Sequence, residues 1–231
     1  MNELISTPIF GLFLTLGAIV VSMVIKKWFR LQGFFTMLLS TIIIIMILLL
    51  DEIEYAAYKK GGDFILSFLG PITVVLAVPL YQHHERLKKY FVGIIIGVLI
   101  GSTISISSIL LMGMILDLEV PITNALLVHS ITTPIAIDSA RMVDGLVGLT
   151  VLSVVITGIF GSLIAPWVFK VLKITDPIAK GVSIGTSSHA IGTAKAFEIG
   201  EVEGAMSGLS IAIAGITTVV MLTLLQMIGW I

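Results

Sequence analysis

The stretch GVSIGTSSHAIGTAKAFEIGEVEGA, residues 181–205, decides how this chain is read. It stands between two long apolar runs. Yet before its first carboxylate, Glu198, it holds Gly181, Gly185 and Gly192, five hydroxyls (Ser183, Thr186, Ser187, Ser188, Thr193), His189 and Lys195. The chain around it is 57% hydrophobic and only 12% charged, where soluble domains carry about 25% charged residues. Such a composition describes an integral membrane protein. In hydrocarbon every backbone polar group needs a partner, so glycine-rich, polar backbone persists at depth only where protein buries it or water lines it. The stretch therefore reads as a broken or re-entrant helix.

Working outward, a helix needs roughly 20 apolar residues to cross a bilayer. Residues 8–25, 33–50, 90–116, 145–169 and 205–231 qualify, and residues 64–80 are apolar but interrupted by Pro71 and Pro79. VPITNALLVHSITTPIAI, residues 120–137, is more polar. The expectation is an all-α polytopic membrane protein with about six full transmembrane helices plus two re-entrant or broken-helix elements. It forms one domain over residues 1–231. Two N-terminal helices lie in 1–55, and a core in 64–231 has broken elements at 64–82, 120–140 and 178–196.

Lysine and arginine favour the cytoplasmic side, which discriminates between topologies. If every apolar segment crosses fully, 8 of the 13 basic residues lie inside; if residues 120–137 and 181–194 are re-entrant, 10 lie inside, Lys59, Lys60 and Arg141 being the exceptions. The stronger bias selects the re-entrant topology with both termini outside. Glu3 precedes the first apolar run and the positive cluster follows it, the reverse of a secretory signal. The chain has no cysteine, which removes disulfides and thiolate chemistry, and its net charge of -1 gives no sign of nucleic-acid binding.

PITVVLAV at 71–78 resembles PITNALLV at 121–128. A second offset aligns Pro79, Arg86, Val92 and Gly93 with Pro134, Arg141, Val147 and Gly148. The two offsets disagree. In the re-entrant topology the spans after Arg86 and Arg141 run oppositely, as an inverted repeat requires.

FLGPITVVLAVPLY (68–81), SITTPIAID (130–138) and KGVSIGTSSHAIGTAKAFEIGEVEGAMSGLSIAIAGI (180–216) resemble the LrgB/CidB family. The resemblance covers nearly everything after about Tyr55. It implies an antiholin-like protein of the bacterial plasma membrane, or an effector of murein hydrolase activity and autolysis. It also implies a small LrgA/CidA-like membrane protein as partner. The family extends to the C-terminal half of the plastid glycolate/glycerate translocator, and some bacterial relatives are implicated in pyruvate transport. A carrier for small monocarboxylates such as pyruvate, glycolate or lactate is thus one expectation. An antiholin or holin-like regulator of membrane permeability is the other.

On the carrier reading, Thr186, Ser187, Ser188, His189 and Thr193 line a site for a small carboxylate. The competing reading has their hydroxyls satisfying the backbone of a broken helix. Lys195 either pairs with the carboxylate or snorkels to the cytoplasmic surface. His189 suits a proton carrier or a structural role. Ser130, Thr132 and Thr133 form a second polar element before Pro134, with Asn124 and His129 as weaker candidates, and Thr73 sits between Gly70–Pro71 and Pro79. Gly181, Gly185 and Gly192 let the backbone bend or approach closely. Asp138 and Arg141 make a surface i,i+3 pair. No catalytic residue, metal site or cofactor is expected, only a coupling proton or cation. Ser188–His189 as a hydrolase dyad is set aside, because adjacent residues seldom align for proton transfer and no G-x-S-x-G elbow is present. A homo-oligomer, such as a dimer, is the expected assembly.

Overall fold

A computed structural model describes residues 7–29, 34–68, 71, 77–82 and 84–231. All regular structure among them is helical. The expected Gly70 and Thr73 lie outside the described residues, as does the side chain of Pro79; Pro71 is exposed. Contacts group the chain into two units, Met1–Val75 and Leu76–Ile231, and each is taken by itself.

The first unit holds α1 (Pro8–Phe29), α2 (Phe34–Leu50) and α3 (Tyr55–Leu66). Helix α3 fills a segment between the expected spans at 33–50 and 64–80, and it carries the exposed Lys59–Asp63 pair at 2.6 Å. What holds α3 is a glycine contact. Gly61 lies against the Pro8 carbonyl and the Leu12 amide, and Gly11 against the Tyr58 carbonyl and Gly61 itself. Without side chains there, the two backbones touch, as small residues allow between membrane helices. Thr15 and Tyr58 add a hydroxyl contact at 3.1 Å. Gly61→Leu should therefore destabilise this unit by about 1–3 kcal/mol. Gly62→Leu, where nothing lies within 4 Å, should be neutral or slightly stabilising through helix propensity. Thermal unfolding of the two variants checks this, and equal losses would contradict it.

The second unit holds α4 (Ala77–Gln82), α5 (His84–Ile115), α6 (Val120–Leu126), α7 (Thr133–Met142), α8 (Val147–Val171), α9 (Pro177–Ile199) and α10 (Glu201–Met227). Four helices among the described residues are long and apolar enough to cross a membrane: Pro8–Phe29, Lys88–Ile115, Val147–Val171 and Glu201–Met227, with a shorter apolar helix at Leu38–Leu50. The sixth expected crossing, at 64–80, falls partly outside the described residues, at 69, 70 and 72–76.

Helix α9 is continuous in name only. His189 has φ 41° and ψ −141°, which turns the chain back on itself. The side chains of Ser188 and Ile184 close on Gly192; along one straight helix Ile184 and Gly192 would stand about 12 Å apart. Helix α10 records both arms. On the entering arm Gly181 lies against Glu203 and Met206, and Gly185 against Ser207. On the returning arm Thr193 bonds Ser207 at 2.7 Å and Phe197 covers Gly204. One arm thus runs parallel to α10 and the other antiparallel. Residues 177–199 form a helical hairpin with His189 at its tip.

Residues 120–142 enter from the other end. Their base is closed by Leu146 N–H to the Pro121 carbonyl at 3.3 Å and by Asn124 Nδ2 to the Val143 carbonyl at 2.6 Å. Thr123 packs on Gly113 near the end of α5, whereas Ser130 reaches Ser105 near its middle, Oγ to Oγ 3.4 Å. The return along α7 follows α10 from Gly215, touched by Ile135, to Gln226, whose Nε2 donates to the Met142 carbonyl. Pro134, a candidate backbone hinge, lies at a helix start and not within a helix. It occupies the first turn of α7, where its missing N–H costs no intrahelical bond.

Apolar clusters flank the two re-entrant elements. Leu127, Val128, Ile131, Ala136 and Ala140 pack with Val154 and Leu222; Phe169, Ile184 and Ala196 pack at the base of the hairpin.

Candidate functional site

The two re-entrant tips meet α5 at adjacent turns. Gly97 faces Val182 and Gly101 faces Thr186 from the hairpin, while Ser105 faces His129 and Ser130 from the opposed element. Gly101 lies at the midpoint of the span Lys88–Ile115. A cavity of about 720 Å³ runs along this face of α5, past Gly93, Gly97, Gly101 and Ser105, from Tyr90 and Asp176 at one end to His129 and Ser130 at depth. Tyr90 to Ser105 spans about 22 Å of helix. Ser183, Thr186 and Ser187 line its hairpin wall.

Several expected residues are brought together here. Thr186 and Ser187 donate to the Val182 and Ser183 carbonyls at 2.7 and 2.8 Å, so each hydroxyl oxygen keeps its acceptor capacity. Ser130 is nearly buried. His129 Nδ1 donates to the Leu126 carbonyl at 2.8 Å, which leaves Nε2 turned toward Ser105 at 3.5 Å. Contacts of 3.4–3.5 Å lie at the outer edge of hydrogen bonding, so a small polar solute can compete for them.

Other expected residues hold the tip instead of lining the cavity. Ser188 is buried against Gly161 and Gly192, its hydroxyl 3.0 Å from that of Ser187. His189 Nε2 donates to the Val154 carbonyl at 2.8 Å, and its ring rests on Gly158. That bond directs the ring away from Ser187 and Ser188, opposite to what a serine–histidine dyad needs. Thr193 donates to the His189 carbonyl at 2.9 Å and shares a hydrogen with Ser207, locking the turn to α10. Lys195 pairs with Glu198 at 2.8 Å near the base of the hairpin and does not line the cavity. Thr132 and Thr133 sit at the start of α7 without a side-chain cap bond from Thr132. Gly181 and Gly185 serve close approach to α10, Gly192 close approach of the two arms; the reversal itself falls on His189. Asp138 and Arg141 make the expected exposed pair at 3.5 Å.

The wall contributed by α5 was missed. Gly93, Gly97, Gly101 and Ser105 recur every four residues, which places them on one helix face. That spacing is legible in the sequence, inside a span noted only for lacking charge.

The cavity mouth is lined by Tyr90, whose ring lies 5.2 Å from the Lys89 ammonium, and by Asp176, whose Oδ1 accepts from the Ala179 amide as the cap of α9. The depth carries no charged lining residue. Each tip brings one helix start, at Thr133 and after His189, beside one helix end, so the dipoles partly offset.

The LrgB-like family matches residues 15–228. The chain is 38% identical over 182 residues to the Bacillus subtilis (strain 168) protein titled "Uncharacterized protein YwbG", covering 79% of this chain and 81% of that one. It is 31% identical over 227 residues to the "Antiholin-like protein LrgB" of the same organism, covering 96% and 97%. The Bacillus cereus (strain B4264) protein of the same title is 30% identical over 219 residues, 94% of each chain. No solved structure matches. With a family match across nearly its whole length and relatives of 30% identity or more aligned end to end, this membrane chain belongs to the LrgB-like family.

Proposed function

We propose that the protein is a carrier, or a subunit of one, for small monocarboxylates such as pyruvate, glycolate or lactate. The observation that carries this reading is the pair of opposed re-entrant tips meeting beside a mid-depth cavity that opens toward one end. Transporters place binding sites at such broken elements, between units of inverted topology. Here α5 with the element at 120–142 and α8 with the hairpin at 177–199 run in opposite directions, which supports the inverted repeat of the second sequence offset. The solute-contacting set is Ser105, His129, Ser130, Ser183, Thr186 and Ser187. Ser188, His189 and Thr193 hold the tip, and movement of the hairpin against α8 and α10 exposes the cavity alternately, with a proton or cation as coupling ion.

The second reading is favoured by the comparisons over the first: relatives aligned along their whole length are titled antiholin-like. On it, this chain regulates membrane permeability, and through it autolysis, beside an LrgA/CidA-like membrane protein. The basic residues Lys88, Lys89, Lys170, Lys173, Lys180 and Lys195 share the hairpin end of the second unit, and Arg141 lies at the other. That supports a cytoplasmic hairpin end in a bacterial plasma membrane under either reading.

Labelled-pyruvate counterflow in proteoliposomes separates the two, with the chain alone and with its LrgA-like partner. The carrier reading expects saturable counterflow inhibited by glycolate or lactate. It also expects the triple variant Ser105→Ala, Ser130→Ala, Thr186→Val to raise KM at least about tenfold, since each hydrogen bond to a charged group contributes about 1.5–3 kcal/mol. Dye leakage without counterflow in both preparations would defeat it and leave the permeability reading.

A further inference from the structure

A second cavity, of about 470 Å³, lies at the base of the hairpin and shares no residue with the first. Three of its lining residues are lysines: Lys170 and Lys173 at the end of α8, and Lys180 in the first turns of α9. No acidic side chain lines it. Among the described residues none of the three lysines takes part in an ion pair. The nearest carboxylate in sequence, Asp176, is held by the Ala179 amide and lines the other cavity. The remaining wall is mostly apolar, from Pro166, Phe169, Ile174 and Ile199, with Thr175 as its one uncharged polar residue.

The backbone adds an independent observation. Helix α8 ends in a Schellman motif. Ile174 N–H bonds the Phe169 carbonyl at 2.9 Å and Lys173 N–H the Lys170 carbonyl at 3.4 Å, with Phe169 and Ile174 packed in one cluster. This motif places one residue in the left-handed region, usually glycine. Here that residue is Lys173, at φ 54°. A lysine occupies the position best suited to glycine, and that lysine lines the cavity. Glu52, Asp117 and Asp144 take the same left-handed conformation elsewhere in the chain, so the conformation belongs to the turn, and here it fixes where Lys173 leaves the backbone. Trp167, 63% exposed, follows the lining residue Pro166 on α8, and tryptophan is enriched at the membrane–water interface, at headgroup level.

We propose that this cleft binds the phosphate headgroup of an anionic phospholipid, with the three ammonium groups around the phosphate and the apolar wall against the glycerol and upper acyl chain. Basic pockets between membrane helices on the cytoplasmic side recognise anionic headgroups in this way. The apolar half and the interfacial flank favour a lipid over a soluble anion. The site stands apart from the solute cavity and does not rest on the carrier reading.

The test uses Trp167 as reporter in the full chain carrying Trp28→Phe and Trp230→Phe. Its fluorescence is titrated with brominated phosphatidylglycerol and brominated phosphatidylcholine in detergent. The expected result is preferential quenching by phosphatidylglycerol. Each lysine should contribute about fivefold to that preference, so Lys170→Ala, Lys173→Ala, Lys180→Ala together should remove on the order of a hundredfold. Lys173→Gly separates recognition from folding: it relieves the left-handed strain, so thermal stability should hold or rise while the preference falls about fivefold. Three results would overturn the proposal. The triple variant could quench like its parent. A control, Lys26→Ala, Lys27→Ala, Lys88→Ala, could lose the same preference, which would mean general charge attraction. Or inorganic phosphate alone could stabilise the protein through these lysines with no preference among lipids, which would make the site one for a soluble anion.

Discussion

Gly185→Val should prevent the hairpin from docking and abolish function. A Cβ at Gly185 meets the carbonyl oxygen and Cα of Ser207. Both are backbone, inside a helix, and neither yields as the end of a flexible side chain would. Overpacking of this kind costs about 1–3 kcal/mol where side chains relax and more where they do not. At 1.4 kcal/mol per factor of ten, a cost of about 3 kcal/mol depopulates the docked hairpin on the order of a hundredfold. The same shift displaces Thr193 from Ser207 and draws Thr186 away from Gly101, so the cavity wall is lost with the packing. Gly208→Val is the matched control: it puts the same β-branched residue in a neighbouring helix where nothing lies within 4 Å. Limited proteolysis at the hairpin, with counterflow or permeability assays, should show Gly185→Val opened and inactive and Gly208→Val close to the parent. If both behave alike, the close approach of the hairpin to α10 is not what positions it.

The second large effect is expected at His189, where one residue both turns the chain and anchors it. Its backbone lies at positive φ, its Nε2–H reaches the Val154 carbonyl at 2.8 Å, and it is 2% exposed. Valine there loses the hydrogen bond, about 1 kcal/mol, and leaves part of the ring's volume empty against Gly158. It also forces a β-branched residue into a conformation costing about 1–3 kcal/mol. The total is about 3–5 kcal/mol. Glycine loses the ring but fits the turn, so the expected order of thermal stability is histidine, then glycine, then alanine, with valine last. That order distinguishes a turn from a ligand. If glycine, alanine and valine are equally stable and differ from the parent only in transport or permeability, His189 acts on a solute or proton and not on the fold.

These two residues also show where the sequence can be read and where it cannot. The polar stretch at 181–205 is legible as a broken element because composition forces the question of what such residues do at membrane depth. The opposed element at 120–137 follows from its polarity and from the stronger Lys/Arg bias that a re-entrant reading gives. The charge bias that selected re-entrant elements agrees with the grouping of the lysines at the hairpin end and Arg141 at the other. What sequence reasoning misassigned is the division of labour among hydroxyls. Thr186 and Thr193 look alike in the sequence, seven positions apart. Across the turn at His189, however, they lie on opposite arms, one facing α5 and the cavity, the other bonded to Ser207. Gly181, Gly185 and Gly192 were expected to bend or to approach closely; all three serve close approach, and the bend falls on His189. Helix α3 was missed because Lys59, Lys60 and Asp63 break the apolar pattern, and only the contact of Gly61 with Gly11 explains why it is held.

The sequence by itself determined that this chain lives in a membrane, that two of its segments carry polar backbone interrupted by glycine or proline, and which family it resembles. Those conclusions rest on composition, segment length and local motif, all properties of neighbouring residues. Tertiary structure alone decided that the two segments meet at Gly101–Ser105, that α5 supplies the missing wall, and that Lys170, Lys173 and Lys180 surround a second cavity. Each of these joins residues far apart in the chain through helix packing, whose partner and register depend on glycine contacts that no local pattern encodes.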